Sequence, residues 1–273
     1  MIFWIASYPK SGNTWLRLLI SNYLWPNDPN PFESLKNINS FPKKKHFEGI
    51  VDENAIKKDR FEIFRYFITA QDKINLNNEL NIFKTHNSNV SIKGYPFTNS
   101  DNSCGAIYVV RDPRSVAVSH SYHHKYSFEK STDRILDDRA IAEAYNNNDV
   151  YLEARLSWKV NYVSWKKSNI PKIIIRYEDL HNDPSNQFME VLKFINKFKK
   201  IEINENKINE VIKKCSFKKV SENEKNNGFI EKKGEENFFR KGIVDEWKTV
   251  LKKNLVEKIE KECGEEMREL NYL

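Results

Sequence analysis

Residues 5–15 read Ile5-Ala6-Ser7-Tyr8-Pro9-Lys10-Ser11-Gly12-Asn13-Thr14-Trp15. An apolar run, Ile2–Ser7, overlaps their start, and a helical pattern, Thr14–Leu24, follows with Trp15, Leu18, Leu19 and Tyr23 on one face. The stretch is therefore a turn from a strand into a helix. At such a turn the first N–H groups of the helix lack intrahelical partners and the helix end is positive, which favours an anion. Gly12 lets the backbone approach a ligand closely. Ser11, Asn13 and Thr14 can donate hydrogen bonds, and Lys10 adds a point charge. The same residues also fit an ordinary βα turn with an Asn or Thr N-cap. They do not form a Walker A loop, which needs Gly-x-x-x-x-Gly-Lys-Ser/Thr, whereas here the lysine precedes a single glycine.

Outward from this turn, further strand-like runs occur at Asn81–Thr85, Ala106–Val110 and Lys172–Arg176. Helical patterns occupy Glu53–Thr69, Pro113–Lys125, Leu152–Lys167, Pro184–Phe198, Glu205–Lys214 and Asn254–Met267. Strands that are apolar on both faces and alternate with helices predict an α/β fold, a central parallel sheet flanked by helices. No repeat and no linker-like stretch divides the chain, so a single domain over 1–273 is expected. Trp25–Gly49, rich in Pro and Asn, and the polar Glu222–Phe239, with Gly228 and Gly234, read as long surface loops. In α/β enzymes such loops either cover the site at the carboxyl ends of the strands or merely connect.

The 273 residues include 17 Phe, 12 Tyr and 6 Trp but only 8 Gly and 9 Pro, which excludes disordered and collagen-like classes. Three distant cysteines, Cys104, Cys215 and Cys263, form no Cys-x-x-Cys pair and point to a reducing compartment. No apolar run approaches the ~20 residues of a membrane span. A signal peptide is not expected, because cleavage would cut through the first strand. The net charge of +7 fits a solvated basic surface, a nucleic acid, an acidic membrane face or a small polyanion.

Three motifs in order decide among these. Tyr8-Pro9-Lys10-Ser11-Gly12-Asn13-Thr14-Trp15 resembles the 5′-phosphosulfate loop of the sulfotransferases that use 3′-phosphoadenosine 5′-phosphosulfate, PAPS. Tyr108-Val109-Val110-Arg111-Asp112-Pro113-Arg114-Ser115-Val116-Ala117-Val118-Ser119 resembles that family's 3′-phosphate strand–loop–helix, with Asp112 as N-cap and Pro113 in the first turn. Read alone, Arg111 also fits a structural ion pair with Asp112 or Asp179. Arg240-Lys241-Gly242-Ile243-Val244-Asp245-Glu246-Trp247 resembles the family's Arg-Lys-Gly-x-x-Gly-x-Trp segment, which also holds the 3′-phosphate. The resemblance runs from Phe3 to Trp247 and implies a single α/β domain related to nucleotide kinases.

The resemblance also implies the chemistry. Lys84-Thr85-His86 matches the family's Lys-Thr-His, so His86 is expected to be the general base for the acceptor, a role suited to an imidazole. Lys10 and Lys84 would neutralise the sulfuryl and leaving-group oxygens, and Ser119 would engage Lys10 and the 3′-phosphate. Trp15, Tyr177 and Phe217 match adenine-contacting aromatics, core packing being the other reading of each. No metal is expected, since no metal-ligand spacing occurs and lysines supply the positive charge.

Departures stand at Cys215, where the family has Thr, at Asn87-Ser88, where many animal members have Leu-Pro, and at Asp245, where the family has Gly. Only Lys248 and Glu257 fit the animal dimer motif, which leaves the oligomeric state open. The implied enzyme is cytoplasmic, uses PAPS, releases the desulfated product PAP, and acts on a small-molecule or glycan acceptor rather than nucleic acid. A nucleotide kinase and a non-catalytic polyanion- or nucleotide-binding module are the alternatives. His123-His124 either lines the acceptor pocket or decorates a helix. Trp25–Asp72, Ser121–Tyr151 and Glu222–Phe239 are expected to shape that pocket, and Lys43-Lys44-Lys45 suits an acidic acceptor or plain solvent.

Overall fold

All six residues of the opening strand, Ile2–Ser7, are buried, as a strand covered on both faces requires. The computed structural model describes residues 1–26, 29–142, 151–232 and 237–273. Along the chain run β1 (Ile2–Ser7), α1 (Asn13–Leu24), β2 (Asn39–Ser40), α2 (Glu53–Lys58) and α3 (Phe67–Asn75). There follow β3 (Asn81–Thr85), β4 (Ser91–Ile92), β5 (Tyr95–Pro96), β6 (Ser103–Val110), α4 (Pro113–His124) and α5 (Phe128–Ile135). Next come β7 (Ile141–Ala142), β8 (Glu153–Ala154), α6 (Trp158–Lys166), β9 (Lys172–Arg176), α7 (Tyr177–Asn182) and α8 (Pro184–Asn196). The chain ends with α9 (Glu205–Lys214), α10 (Phe217–Asn227), α11 (Trp247–Val250) and α12 (Lys253–Glu269).

The central sheet has the order β2-β3-β1-β6-β9, and β1 pairs in parallel with both β3 and β6. The expected α/β architecture is therefore present. Two compact units divide the residues: Met1–Tyr8, Asn39–Val109 and Asp137–Ile174 make the first, and Pro9–Ile38, Val110–Leu136 and Ile175–Leu273 the second.

In the first unit Trp4 lies at the centre of an aromatic core. Its ring centroid is 5.1 Å from Phe97, 5.7 Å from Phe41 and 6.2 Å from Phe83. Its Nε1 donates to Ser103 Oγ at 2.7 Å, so burying the indole leaves no donor unpaired. In the second unit α1 is buried on nearly every face and packs against α9, which packs against α8. Asp112 and Pro113 open α4 as expected, Asp112 accepting from Arg114 N at 2.8 Å.

Four expectations are corrected. Glu53–Thr69 is not one helix: α2 stops at Lys58, Asp59 caps a 3₁₀ stretch over Arg60–Tyr66, and α3 begins at Phe67. Leu152–Lys167 holds strand β8 before α6, which starts where the Ser157 side chain accepts from Val160 N. Trp25–Gly49 is no plain surface loop, since it supplies edge strand β2 and buries Phe41 and Phe47. Glu222–Phe239 is helical as far as Asn227, because α10 starts upstream at Phe217. Residues 233–236, Gly234 among them, and 143–150 of the expected acceptor segment lie outside the described residues.

His46 follows β2 and is 8% exposed, stacked on Phe41 with centroids 5.4 Å apart. Burial, with the charges of Lys45 and Lys43 adding to it, lowers its pKa from 6.5 to about 4. The neutral ring is therefore the folded form, and the unfolded chain binds a proton at higher pH. Its stabilising share is complete above pH 6.5 and is lost as pH falls towards 4, amounting to about 3 kcal/mol. Urea unfolding at pH 7 and pH 5 should show a smaller stability difference for His46→Gln than for the unsubstituted chain. Equal differences would remove His46 as the cause.

Candidate active site

In the first unit, His86 directly follows β3, whose register sets Thr85 opposite Ala6 and Lys84 opposite Ile5. Ser7 and His86 come next along the two segments. The His86 Nδ1 lies 2.8 Å from the Ser7 carbonyl oxygen, which can only accept, so the ring carries its proton on Nδ1. The Ser7 hydroxyl stands 3.2 Å from the same nitrogen. In the neutral ring Nε2 is then the basic atom.

Asn161, fully buried, holds the main chain here. Its Nδ2 donates to the carbonyls of His86 at 3.0 Å and Arg155 at 2.9 Å, while its Oδ1 accepts from Tyr108 Oη at 2.8 Å. Burial keeps Tyr108 protonated, its pKa far above the usual tyrosine value, so the donor persists. Asn87 continues the support: Oδ1 accepts from Ala154 N at 2.8 Å and its carbonyl from Trp165 Nε1 at 2.9 Å. Lys84 is half-buried on β3, and its carbonyl accepts from Phe41 N at 2.9 Å.

In the second unit the turn before α1 carries two positive φ angles, 67° at Lys10 and 100° at Gly12. Gly12 is required twice over, because a Cβ there would also meet Tyr177 Cδ2 at 2.5 Å. As N-cap it offers α1 no side-chain oxygen. Ser11 is fully buried and its Oγ has no hydrogen-bond partner. A buried, unpartnered hydroxyl beside an uncapped helix start suits an anion with acceptor oxygens.

Arg111 joins the distant motifs. Its guanidinium donates to the Lys10 carbonyl at 3.4 Å and to the Ile243 carbonyl at 3.2 Å, and lies 4.3 Å from the centre of the Tyr177 ring. Of the two carboxylates near it in sequence or motif, Asp112 is bound by Arg114 at 2.7 Å and Asp179 by Arg176 at 3.3 Å. Tyr177 meets Trp15 edge-on at 5.9 Å, and Trp15 Nε1 donates to the Cys215 carbonyl at 3.0 Å. Phe217 is 36% exposed and so is no core residue; a Cβ on Gly242 would collide with its ring. Ser119 is half-buried in the second turn of α4.

Arg114, buried, is held by Asp112, by Glu260 at 2.5 Å and by the Tyr272 carbonyl at 2.8 Å, and stacks 3.8 Å from the Trp247 ring. It thereby ties the third motif and α12 to the start of α4. His123 meets Phe238 edge-on at 5.9 Å, while His124 stacks on Tyr126 at 5.4 Å.

The family model described as "Sulfotransferase domain" matches residues 2–271. The chain belongs to the sulfotransferase family. The flavonol 3-sulfotransferase of Flaveria bidentis is 25% identical over 96% of this chain and 80% of its own. Dog sulfotransferase 1B1 is 24% identical over 89% of this chain and 76% of its own. Among solved structures, a mouse sulfotransferase complexed with PAP superposes with TM-score 0.60 at 21% identity, over 98% of this chain and 83% of that one. Retinol dehydratase in complex with androsterone and PAP gives 0.62 at 19%, over 97% and 80%. Neither the nucleotide kinase nor the non-catalytic module is favoured by these relatives.

In this member of the family the third motif carries Asp245 where the family pattern has Gly. That residue takes φ 67°, the left-handed conformation a glycine would adopt, and Asp tolerates it better than most side chains. Its carboxylate pairs with Lys248 at 2.7 Å at the surface.

Sequence reasoning missed two carboxylates that dock on the motifs. Glu246 pairs with Arg240 and, at 2.8 Å, with Lys241; burial raises its pKa, but the hydrogen bonds from these two cations outweigh that and hold it below the usual range. Glu231 accepts from Thr14 Oγ1 at 2.8 Å and pairs with Arg17 at 2.5 Å. Glu246 stands inside the third motif, where its charge was a visible signal, whereas Glu231 sits in a polar run that offers none.

Gly12→Ala should push Tyr177 out of place and strain the left-handed turn, costing about 1–3 kcal/mol. A thermal melt lowered by less than 1 °C would show that the turn accommodates a Cβ.

Proposed function

We propose that this protein transfers a sulfuryl group from PAPS to a hydroxyl or amine of a small-molecule or glycan acceptor. The observation that carries the reading is Arg111, whose guanidinium bridges the Lys10 turn and the Ile243 segment while lying on Tyr177. Residues that the family resemblance assigns to one donor nucleotide are thus linked through a single cation.

Lys10, Ser11, Gly12, Asn13 and Thr14 would hold the 5′ end of the donor. Arg111, Ser119, Arg240, Lys241 and Gly242 would hold the 3′-phosphate, and Trp15, Tyr177 and Phe217 the base. Ser11 Oγ, buried without a partner, supports the first group. When bound, PAPS supplies the sulfuryl group and a phosphate that leaves with the bonding pair.

His86 takes the acceptor proton on Nε2. The Ser7 carbonyl supports this role, because it fixes the proton of the neutral ring on Nδ1 and stabilises the imidazolium once Nε2 is protonated. Lys10 and Lys84 offset the charge that develops on the sulfuryl and leaving oxygens. The acceptor is approached as a neutral nucleophile, and no step requires the chain to change its own covalent structure.

His86→Ala should abolish transfer of labelled sulfate from PAPS while PAP affinity stays within about threefold, since the base acts on the acceptor. Calorimetric titration should find micromolar PAP binding without added magnesium; tight ATP binding with no PAP binding would defeat the reading. Glu246→Gln should tighten PAP binding roughly threefold to tenfold, because a neutral amide competes less well for Arg240 and Lys241. Weaker binding in that variant would mean that Glu246 orients the two cations instead of occupying them.

A further inference from the structure

Phe238 and Phe239 lie between α10 and α11, outside any helix or strand, so no regular backbone pairing serves their N–H groups. A single side chain serves both. Glu224, on α10 and 2% exposed, accepts from Phe238 N with Oε1 at 2.6 Å and from Phe239 N with Oε2 at 2.9 Å. A buried carboxylate with one oxygen on each of two consecutive amides fixes the direction of the chain as well as its position.

That direction matters because the next residues are Arg240, Lys241 and Gly242. The side chains around the anchored pair confirm how closely it is held. Phe239 stacks on Phe32, centroids 5.8 Å apart and planes within 5°, and packs on Phe229 at 5.4 Å. Phe238 lies under the Lys10 ammonium, 4.1 Å from its Nζ. Arg240 leaves the anchored backbone to lie 3.9 Å from the Tyr122 ring on α4. One carboxylate thus sets the starting point of the Arg-Lys-Gly segment.

We propose that Glu224 is the positioning residue of the 3′-phosphate grip: it touches no part of the donor and acts through the backbone that aims Arg240 and Lys241. The proposal rests on the reading that Arg240–Gly242 hold the 3′-phosphate. A residue that only stabilises the fold would, when replaced, weaken all nucleotides alike or shift only the melting temperature.

The difference between PAP and adenosine 5′-phosphate isolates the 3′-phosphate, so both are titrated into the full chain by calorimetry. Glu224→Ala should weaken PAP about tenfold and leave adenosine 5′-phosphate within about twofold, approaching the behaviour of Arg240→Ala. Glu224→Gln, of the same size and retaining one acceptor oxygen, should fall between and guards against misfolding of the alanine variant. Because Glu224 acts through Arg240 and Lys241, adding Glu224→Ala to the double variant Arg240→Ala/Lys241→Ala should weaken PAP no further. Equal loss for both nucleotides, no loss for PAP in either variant, or a further loss when Glu224→Ala is added to Arg240→Ala/Lys241→Ala would each overturn the proposal. If the unsubstituted chain bound PAP no more tightly than adenosine 5′-phosphate, the reading of Arg240–Gly242 would itself fall, and the role of Glu224 with it.

Discussion

The second unit depends on one guanidinium. Arg111 reaches the carbonyls of Lys10 and Ile243, residues separated by most of the chain, while its face rests on Tyr177. Each contact constrains another. Tyr177 can lie against the turn only because position 12 has no Cβ, and the turn can form only because Lys10 and Gly12 accept positive φ. A planar donor that bonds two carbonyls in fixed directions and stacks on an aromatic ring performs all three tasks, which a lysine at this position would not.

Around that cation the carboxylates are paired rather than scattered. Asp112 and Glu260 flank Arg114, Glu246 flanks Arg240 and Lys241, and Glu231 flanks Arg17. Glu178 takes the Asp112 amide at 3.1 Å and the Tyr272 hydroxyl at 2.8 Å; burial raises its pKa, and these hydrogen bonds oppose the rise. The net charge of +7 is therefore a poor guide to where positive potential lies. It is governed locally by which carboxylate neutralises which cation, and Glu246, bonded to two cations through side chains alone, differs from Glu224, whose partners are main-chain amides.

How much of this was legible in the sequence depended on the kind of signal. Ile2–Ser7, Asn81–Thr85 and Lys172–Arg176 form strands with the expected bounds, because short apolar runs between turn residues have few alternatives. Strand β2, two residues long in a segment full of Pro and Asn, had no alternation to betray it; it is a strand because β3 pairs with it. The helix expected over Glu53–Thr69 failed at Asp59, whose side chain caps the following 3₁₀ stretch at Phe61 N. In the candidate site the motifs are contiguous runs and stand out in the sequence as such. Glu224, Glu231 and Arg114 could not be assigned their partners, since a contact between residues distant in sequence leaves no periodic trace.

The departures from the family pattern divide by how a position acts. Cys215 offers Trp15 its main-chain carbonyl, while its thiol is turned to the Leu18 carbonyl and pushed by burial to about 12, so the exchange for Thr leaves the contact with the indole intact. Asp245 contributes a left-handed backbone, which its side chain permits, and the acid is taken up by Lys248. At both positions the backbone makes the contact or the turn, so a changed side chain there weighs little against the proposed function. In the proposed function Gly12, Arg111 and His86 would act through the side chain or its absence, and each is present where that reading needs it. A motif mismatch is thus informative only once the atom that does the work is known.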